Sequence, residues 1–331
     1  MLMSAVVQPE ALASMHFETP GYRDQVEMLL RGMQSNGVLL VDSDRGLLDA
    51  LSNRIEQLGT KCGQQIKIRY EELRKPGRSR VVVTRCRCNA GIPLLEAARM
   101  VHESASSDAL VVAPDAAKDL QAGVGTYVDG LTPMEAYLSS AFETSRHAYL
   151  EEQPPLDRMG GEAFAQQIVR LTRFAKRLRF YDKQIGADSS LTGFRRGIGK
   201  ILSLWTANAY HDREFLAAEI YTCVHLQRTQ RPTEVVYARL KDDIAASLAD
   251  SAGVPVSLFF KHDPGHLTHD RFLQTDSLAV YFSKGFDFLE PDGSLHRCSM
   301  RVDNAAYDHL SEYRRLGDHF EPLLCQPRIR R

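Results

Sequence analysis

The densest chemistry in this chain lies in KHDPGHLTHDRFLQTD, residues 261–276. The run holds His262, His266 and His269, Asp263, Asp270 and Asp276, and the cations Lys261 and Arg271. An apolar run, VPVSLFF, leads into it, and strand-like sequence follows. Alternate residues of an extended strand share a face, so His269 and Arg271 point one way and Asp270 the other. An imidazole beside a guanidinium suits a site that grips a phosphate and presents a nucleophilic or acid/base imidazole. A surface loop that clusters histidines is the plainer alternative. His262-x-x-x-His266 has metal spacing on a helix, but Pro264-Gly265 within that spacing opposes a helix.

A second constellation is acidic. VLLVDSDRGLL places Asp42 and Asp44 at the end of one strand-like run, and ALVVAPDAAKDL places Asp115 and Asp119 after another, with Glu96 on a helix between them. In parallel α/β sheets ligands collect at that edge. Carboxylates so spaced can hold Mg²⁺ for phosphodiester hydrolysis; the same residues also serve as helix caps and strand-end solubilisers. Three other motifs are weaker. GFRRGIGK departs from a phosphate loop, because five residues separate Gly193 from Gly199 and Ile201 replaces the Ser/Thr. Arg195, Arg196 and Lys200 at that helix start still favour an anion. Cys86-x-Cys88 lacks a second pair at zinc spacing, Cys62 does not complete it, and the pair reads as buried strand cysteines. Gly123-Val-Gly125 lacks a third glycine.

His269-Asp270-Arg271-Phe-Leu-Gln-Thr-Asp276 resembles the H-x-K-x-x-x-x-D signature of the phospholipase D superfamily, with Arg271 in place of Lys. Ser283-Lys284-Gly285-Phe286-Asp287 sits where that family carries its G-S-x-N segment, and LRFYDKQIG is similar to its opening strand, with Asp182. The variant looks closer still to the C-terminal phospholipase-D-like domain of microtubule-interacting-and-trafficking proteins, thought to be a binding module. The resemblance covers about residues 165–300. It implies His269 as nucleophile or acid/base group, Arg271 as phosphate clamp and Asp276 orienting a histidine. It also implies no cofactor, with Asp182, Ser283 and Lys284 around the substrate; the anion-favouring Arg195, Arg196 and Lys200 would join them. Two departures bear on this: a guanidinium is not an ammonium, and Phe286 stands in the place of the family's Asn. The catalytic superfamily also faces two motifs together, and this chain has one. Either two chains dimerise to complete a site, or the domain only binds nucleic acid, phospholipid or a protein partner. Residues about 36–140 show a weaker resemblance to PIN-like nucleases, which would put Mg²⁺ on Asp42, Glu96 and Asp115.

The elements that would position these groups are those of an α/β protein. The first half alternates helix and strand: a helix at 23–34, a strand GVLLVDSD and a helix at 45–58, then strand-like QIKIRYEEL and SRVVVTRCRC. A helix at 93–103, a strand at 109–113, strand-like GTYVD and a helix opened by Thr132-Pro133-Met134-Glu135 follow. Such alternation predicts a largely parallel sheet. The second half reads as helix (162–177), strand (LRFYDKQI), helix (193–205), strand (EFLAAEIYTCVHL) and helix (233–249). The strand VPVSLFFKH, two more within 269–289 and a helix at 305–316 complete it. EEQPPLDRMGG is the linker, which divides the chain into α/β domains at 1–155 and 156–331.

Composition excludes several classes. With 331 residues, 44% hydrophobic and 25% charged, the chain is neither disordered nor collagenous. A net charge of −1 rules out an indiscriminate polycation, yet residues 158–213 hold 11 basic residues against 4 acidic ones. Nucleic acid is the expected partner of that segment. A second basic run, Arg74 to Arg87, contains no acid. No apolar stretch is long enough for a membrane helix, and six irregularly spaced cysteines indicate a reducing compartment. A cytoplasmic protein is expected. The functions in contention are a metal-independent nuclease acting as a homodimer, a non-catalytic binding module, and a metal-dependent PIN-like nuclease.

Overall fold

The computed structural model describes residues 2–75, 79–89, 91–122, 128–150, 155–185, 191–224, 235, 238–262, 271–296, 298–303 and 323–326. The fold is α/β, in two compact units, Met1–Leu150 and Glu151–Arg331. The two units divide between Leu150 and Glu151. Among the described residues no helix is long and apolar enough to cross a membrane.

The first unit is built on five parallel strands: β1 (Met3–Val7), β2 (Gly37–Val41), β3 (Val81–Val83), β4 (Ala109–Val112) and β5 (Leu131–Pro133). Their order is β3-β2-β1-β4-β5, so β1 is central, with Ala5 opposite both Leu39 and Ala109. Helices α1 (Tyr22–Asn36), α2 (Gly46–Glu56), α3 (Thr60–Leu73), α4 (Leu94–Ala105), α5 (Pro114–Ala122) and α6 (Ala141–Ala148) complete the unit. Parallel neighbours require such crossovers. The N-terminal MSAVV, for which no element was expected, is the central strand and buried throughout. One expectation is corrected: QIKIRYEEL is helical within α3. Its apparent alternation gives way to Ile66, Tyr70 and Leu73, buried at helical spacing, while Ile68 is exposed. The fifth strand also lies beyond GTYVD, at Leu131–Pro133.

An ion-paired clasp closes this unit. Arg146 Nη2 and Nε donate to Glu143 Oε1 and Oε2 at 2.6 and 2.7 Å, Tyr137 Oη donates to the same carboxylate at 2.6 Å, and Arg146 Nη1 reaches Asn36 Oδ1 at 3.0 Å. Burial alone would raise the Glu143 pKa, but the Arg146 and Tyr137 bonds outweigh it and hold the carboxyl below its usual range.

The second unit begins with α7 (Leu156–Met159) and α8 (Gly161–Thr172), then β6 (Arg177–Tyr181), α9 (Leu191–Asn208) and β7 (Ala217–Val224). A π-helical stretch, Leu240–Ala246, runs into α10 (Ser247–Ala252). The remaining strands are β8 (Val256–His262), β9 (Phe272–Gln274), β10 (Ala279–Phe282), β11 (Met300–Val302) and β12 (Leu323–Cys325). Strand order is β11-β10-β9-β6-β7-β8-β12. The adjacent strands β6, β7 and β8 are parallel, and the remaining pairings are antiparallel. The last two strands were not expected from sequence, and the expected helix at 305–316 lies outside the described residues. One side of the sheet carries Phe180 and packs with Phe164, Trp205, Phe282, Phe286 and Phe288, all fully buried. The other side carries Tyr181, Tyr221 and Phe259 in register across β6, β7 and β8, stacked at 4.7 and 4.6 Å between ring centres.

Candidate functional site

In the second unit the chain runs from β6 through β7 to β8, then returns across the sheet to β9 on the far side of β6. The carboxyl end of β6 is therefore a switch point in strand order, the place where open α/β sheets leave a crevice. Asp182 stands there, one residue past β6, and Arg271 stands opposite, one residue before β9. Register pairs Tyr181 with Phe272, which makes Asp182 and Arg271 the next step of the ladder.

The Asp182 side chain is fully buried. Its Oδ1 accepts from Gln184 N at 2.9 Å, closing an Asx-type turn, and its Oδ2 accepts from Phe286 N at 3.4 Å. Burial pushes the carboxyl up to about 6; those two backbone bonds and the Arg271 charge pull against it, and Asp287 adds to the rise. Arg271 is held on three sides. Its Nη1 donates to Ser283 O at 3.1 Å, its Nη2 donates to Gln184 Oε1 at 2.8 Å, and its Nε lies 3.7 Å from Asp182 Oδ1. The Nε–H is buried without a hydrogen-bond partner. Gly285, at φ +75°, brings the backbone over this pair; a Cβ there would collide with Asp182 Oδ2 and press on the Arg271 side chain.

The loop Ser283–Asp287 is pinned from beneath. Phe286 packs against Phe180 and Phe282, each 5.1 Å between ring centres, so its phenyl occupies core where the resemblance would put a polar Asn. A Cβ on Gly193 would strike the Asp287 carboxylate, and one on Gly197 would strike Phe286 O. The glycines of GFRRGIGK thus let α9 approach this loop. They build no phosphate cradle.

The structure separates several residues that sequence alone groups. Asp276 lies at the other end of β9. Its Oδ2 accepts from Lys176 N at 2.7 Å and Arg177 N at 3.2 Å, at the start of β6, about 17 Å of strand from Asp182. It is not beside Arg271, and its described bonds hold the sheet edge. Ser283 Oγ accepts from Ser299 N at 2.9 Å, which ties β10 to the approach of β11. Arg196 Nε donates to Leu289 O at 3.0 Å, while Arg195, Lys200 and Lys284 are exposed. His269, His266, Asp263 and Asp270 lie outside the described residues, as do the side chains of Lys261 and His262. Sequence reasoning passed over Gln184, Lys183 and Gly285. Lys183 is buried to 3% exposure at the same strand end. The Asp182-x-Gln184 turn was the available signal.

The acids of the first unit are not brought together. Asp42 is buried and accepts from Gly46 N and Leu47 N at 2.9 and 2.8 Å, which caps α2. Glu96 pairs with Arg99 at 3.2 Å on α4, and Asp115 is exposed in the first turn of α5. Among the described residues no three His, Cys, Asp or Glu side chains are grouped to hold a metal. The residue after the leading strand β1 is Gln8, where the PIN-like pattern would have an Asp. Its Oε1 accepts from Ala113 N at 2.9 Å, across the β1/β4 switch point. Comparison with protein-family models, curated proteins and solved structures finds no match for this chain.

Proposed function

We propose that the protein is a nucleic-acid-binding module and that its HxR…D segment is a structural remnant of a phosphodiesterase-like pattern rather than a catalytic centre. The carrying observation is the commitment of Arg271 and Asp276 to protein partners at opposite ends of β9. Both terminal nitrogens of Arg271 already bond Ser283 O and Gln184 Oε1, so the protein's own acceptors orient the guanidinium, and Asp276 is not beside it. Binding falls instead to the exposed cations Arg195 and Lys200 on α9 and Lys284 on the loop packed against that helix.

Anisotropy titration with a fluorescent oligonucleotide tests this. Affinity falls steeply with salt, and Arg195→Glu, Lys200→Glu and Lys284→Glu combined lower the log–log slope by about two to three, since each lost phosphate contact removes roughly 0.7–0.9. Binding that is absent or indifferent to salt refutes the reading.

One observation favours a second reading. A buried carboxyl raised to about 6 at a sheet switch point is the kind of group enzymes recruit. Under that reading His269, on a homodimer, attacks the phosphodiester and Asp182 and Arg271 position it. Metal-independent hydrolysis lost in His269→Ala would replace the binding module with this enzyme; hydrolysis stopped by EDTA would direct the search to the first unit.

A further inference from the structure

The chain running from α8 into β6, Arg173–Arg177, reads RFAKR and contains no acid. Its backbone is firmly held. Arg173 O accepts from Tyr210 N at 2.7 Å and Phe174 O from His211 Nε2 at 3.2 Å. Ala175 O accepts from Trp205 Nε1 and Lys176 O from Ala217 N, each at 3.0 Å. The single turn Arg213–Phe215 leads into β7 at the same end of the sheet, since Arg177 pairs with Ala217. Phe215 stands on that turn with 58% of its surface exposed, while the phenyl rings of the adjoining core are buried. The Lys176 ammonium lies 6.0 Å from the centre of its ring, at the outer reach of a cation–π contact.

Charge surrounds this ring. Lys176, Arg177 and Arg213 are exposed on the two segments. Glu219 is shared by Arg177 and Arg179 at 3.2 and 2.8 Å, and the Asp276 carboxylate accepts from backbone amides. Asp212 and Glu214 border the ring on its own turn. The core of a protein–protein interface is depleted of charged residues, so a lone phenyl set among them is poorly placed for one. Cations beside an open aromatic face are what a nucleic-acid strand uses, with phosphates on the charges and a base on the ring.

We propose that Phe215 is a stacking platform for an unpaired base, so that the second unit takes nucleic acid as a single strand. This rests on the nucleic-acid reading above and adds the form of the ligand, which charge alone does not choose. A base offers its flat face to a phenyl ring only when it is splayed out of a helix, because in a duplex its neighbours cover it. Stacking is tolerant of sequence, since every base has such a face. With acids and cations mixed around the ring, stacking rather than charge supplies the binding at this edge.

The test uses the full-length protein, with a fluorescein-labelled single-stranded oligonucleotide of mixed sequence and the same sequence as a duplex. Phe215→Ala should weaken single-strand binding roughly tenfold, the usual cost of losing one stacked base. Duplex affinity and the salt slope should stay at the wild-type values, because a phenyl ring neutralises no phosphate. Phe215→Trp should keep the affinity and place an indole that a stacked base quenches, over the constant signal of buried Trp205. Wild-type single-strand affinity in Phe215→Ala, with the salt slope still falling in the Arg195, Lys200 and Lys284 variant, overturns this proposal alone and leaves the ring to a protein partner. Equal losses on single strand and duplex, or an unquenched Phe215→Trp, overturn it as well. Wild-type binding that is absent or indifferent to salt removes the nucleic-acid reading and this proposal with it.

Discussion

Replacing Asp182 by Asn tests the electrostatics of the β6 terminus directly. The Asp182 carboxyl rises from 3.8 to about 6 on folding, with burial the largest cause. The folded state therefore holds this proton more tightly than the unfolded state. The resulting stability is fully present below the unfolded pKa and is lost as pH rises through about 6. The full span, about 2 pKa units, is on the order of 3 kcal/mol. Between pH 7.5 and pH 5.0 the linkage relation leaves about 1.4 kcal/mol of that span. Asn keeps an acceptor for Gln184 N and cannot titrate, so Asp182→Asn should lose this increment. Trp205 is the chain's single tryptophan and is fully buried against Ala175 O, its Nε1 donating at 3.0 Å, so its fluorescence follows the second unit alone. Urea unfolding of both proteins at the two pH values gives four free energies. The stability difference between wild type and variant should move by about 1.4 kcal/mol in favour of wild type at the lower pH. Parallel pH dependence in the two proteins, or a shift of opposite sign, would refute the argument that burial outweighs Arg271 at this site.

Arg146→Ala leaves the Glu143 carboxylate buried without its cation, and should destabilise the first unit by about 3–5 kcal/mol in thermal or urea unfolding followed by circular dichroism. Phe286→Ala opens the core beneath the Ser283–Asp287 loop, and should cost the second unit about 3–5 kcal/mol by Trp205 fluorescence. Gly285→Ala forces a side chain into a left-handed conformation against Asp182 and Arg271. It should cost at least about 1–2 kcal/mol by the same measurement, and wild-type stability would show that the loop approaches less closely. Asp276→Ala should lower stability by about 1 kcal/mol by removing its bonds from the solvent-exposed Lys176 and Arg177 amides, with oligonucleotide affinity unchanged; a selective loss of affinity would return Asp276 to the ligand site.

Much of the fold was readable along the chain because its signals are local. The continuous apolar runs GVLLV and ALVV became β2 and β4 at nearly the expected bounds, and the apolar spacing of Leu47, Leu48, Leu51 and Ile55 became α2. Where local signals conflicted, long-range packing decided. IKIRY alternates like a strand, yet its helical stripe of Ile66, Tyr70 and Leu73 is what the core buries. MSAVV, interrupted by Ser4, does not announce itself, and it is the central strand with β2 and β4 paired to it on either side.

The site divides the same way. Sequence alone marked Asp182 and Arg271 as chemically notable, and they do meet. That Asp276 faces the opposite end of β9 was hidden, because the distance between two residues of one strand depends on where that strand stops, and only pairing with β6 sets that limit. Likewise the glycines of GFRRGIGK carry the composition of a phosphate loop, while their use is to admit the backbone of Phe286. Residue type and spacing determined which side chains are capable of chemistry. Which of them can act together was decided by tertiary contacts, since strand pairing and backbone hydrogen bonds set where each side chain is held.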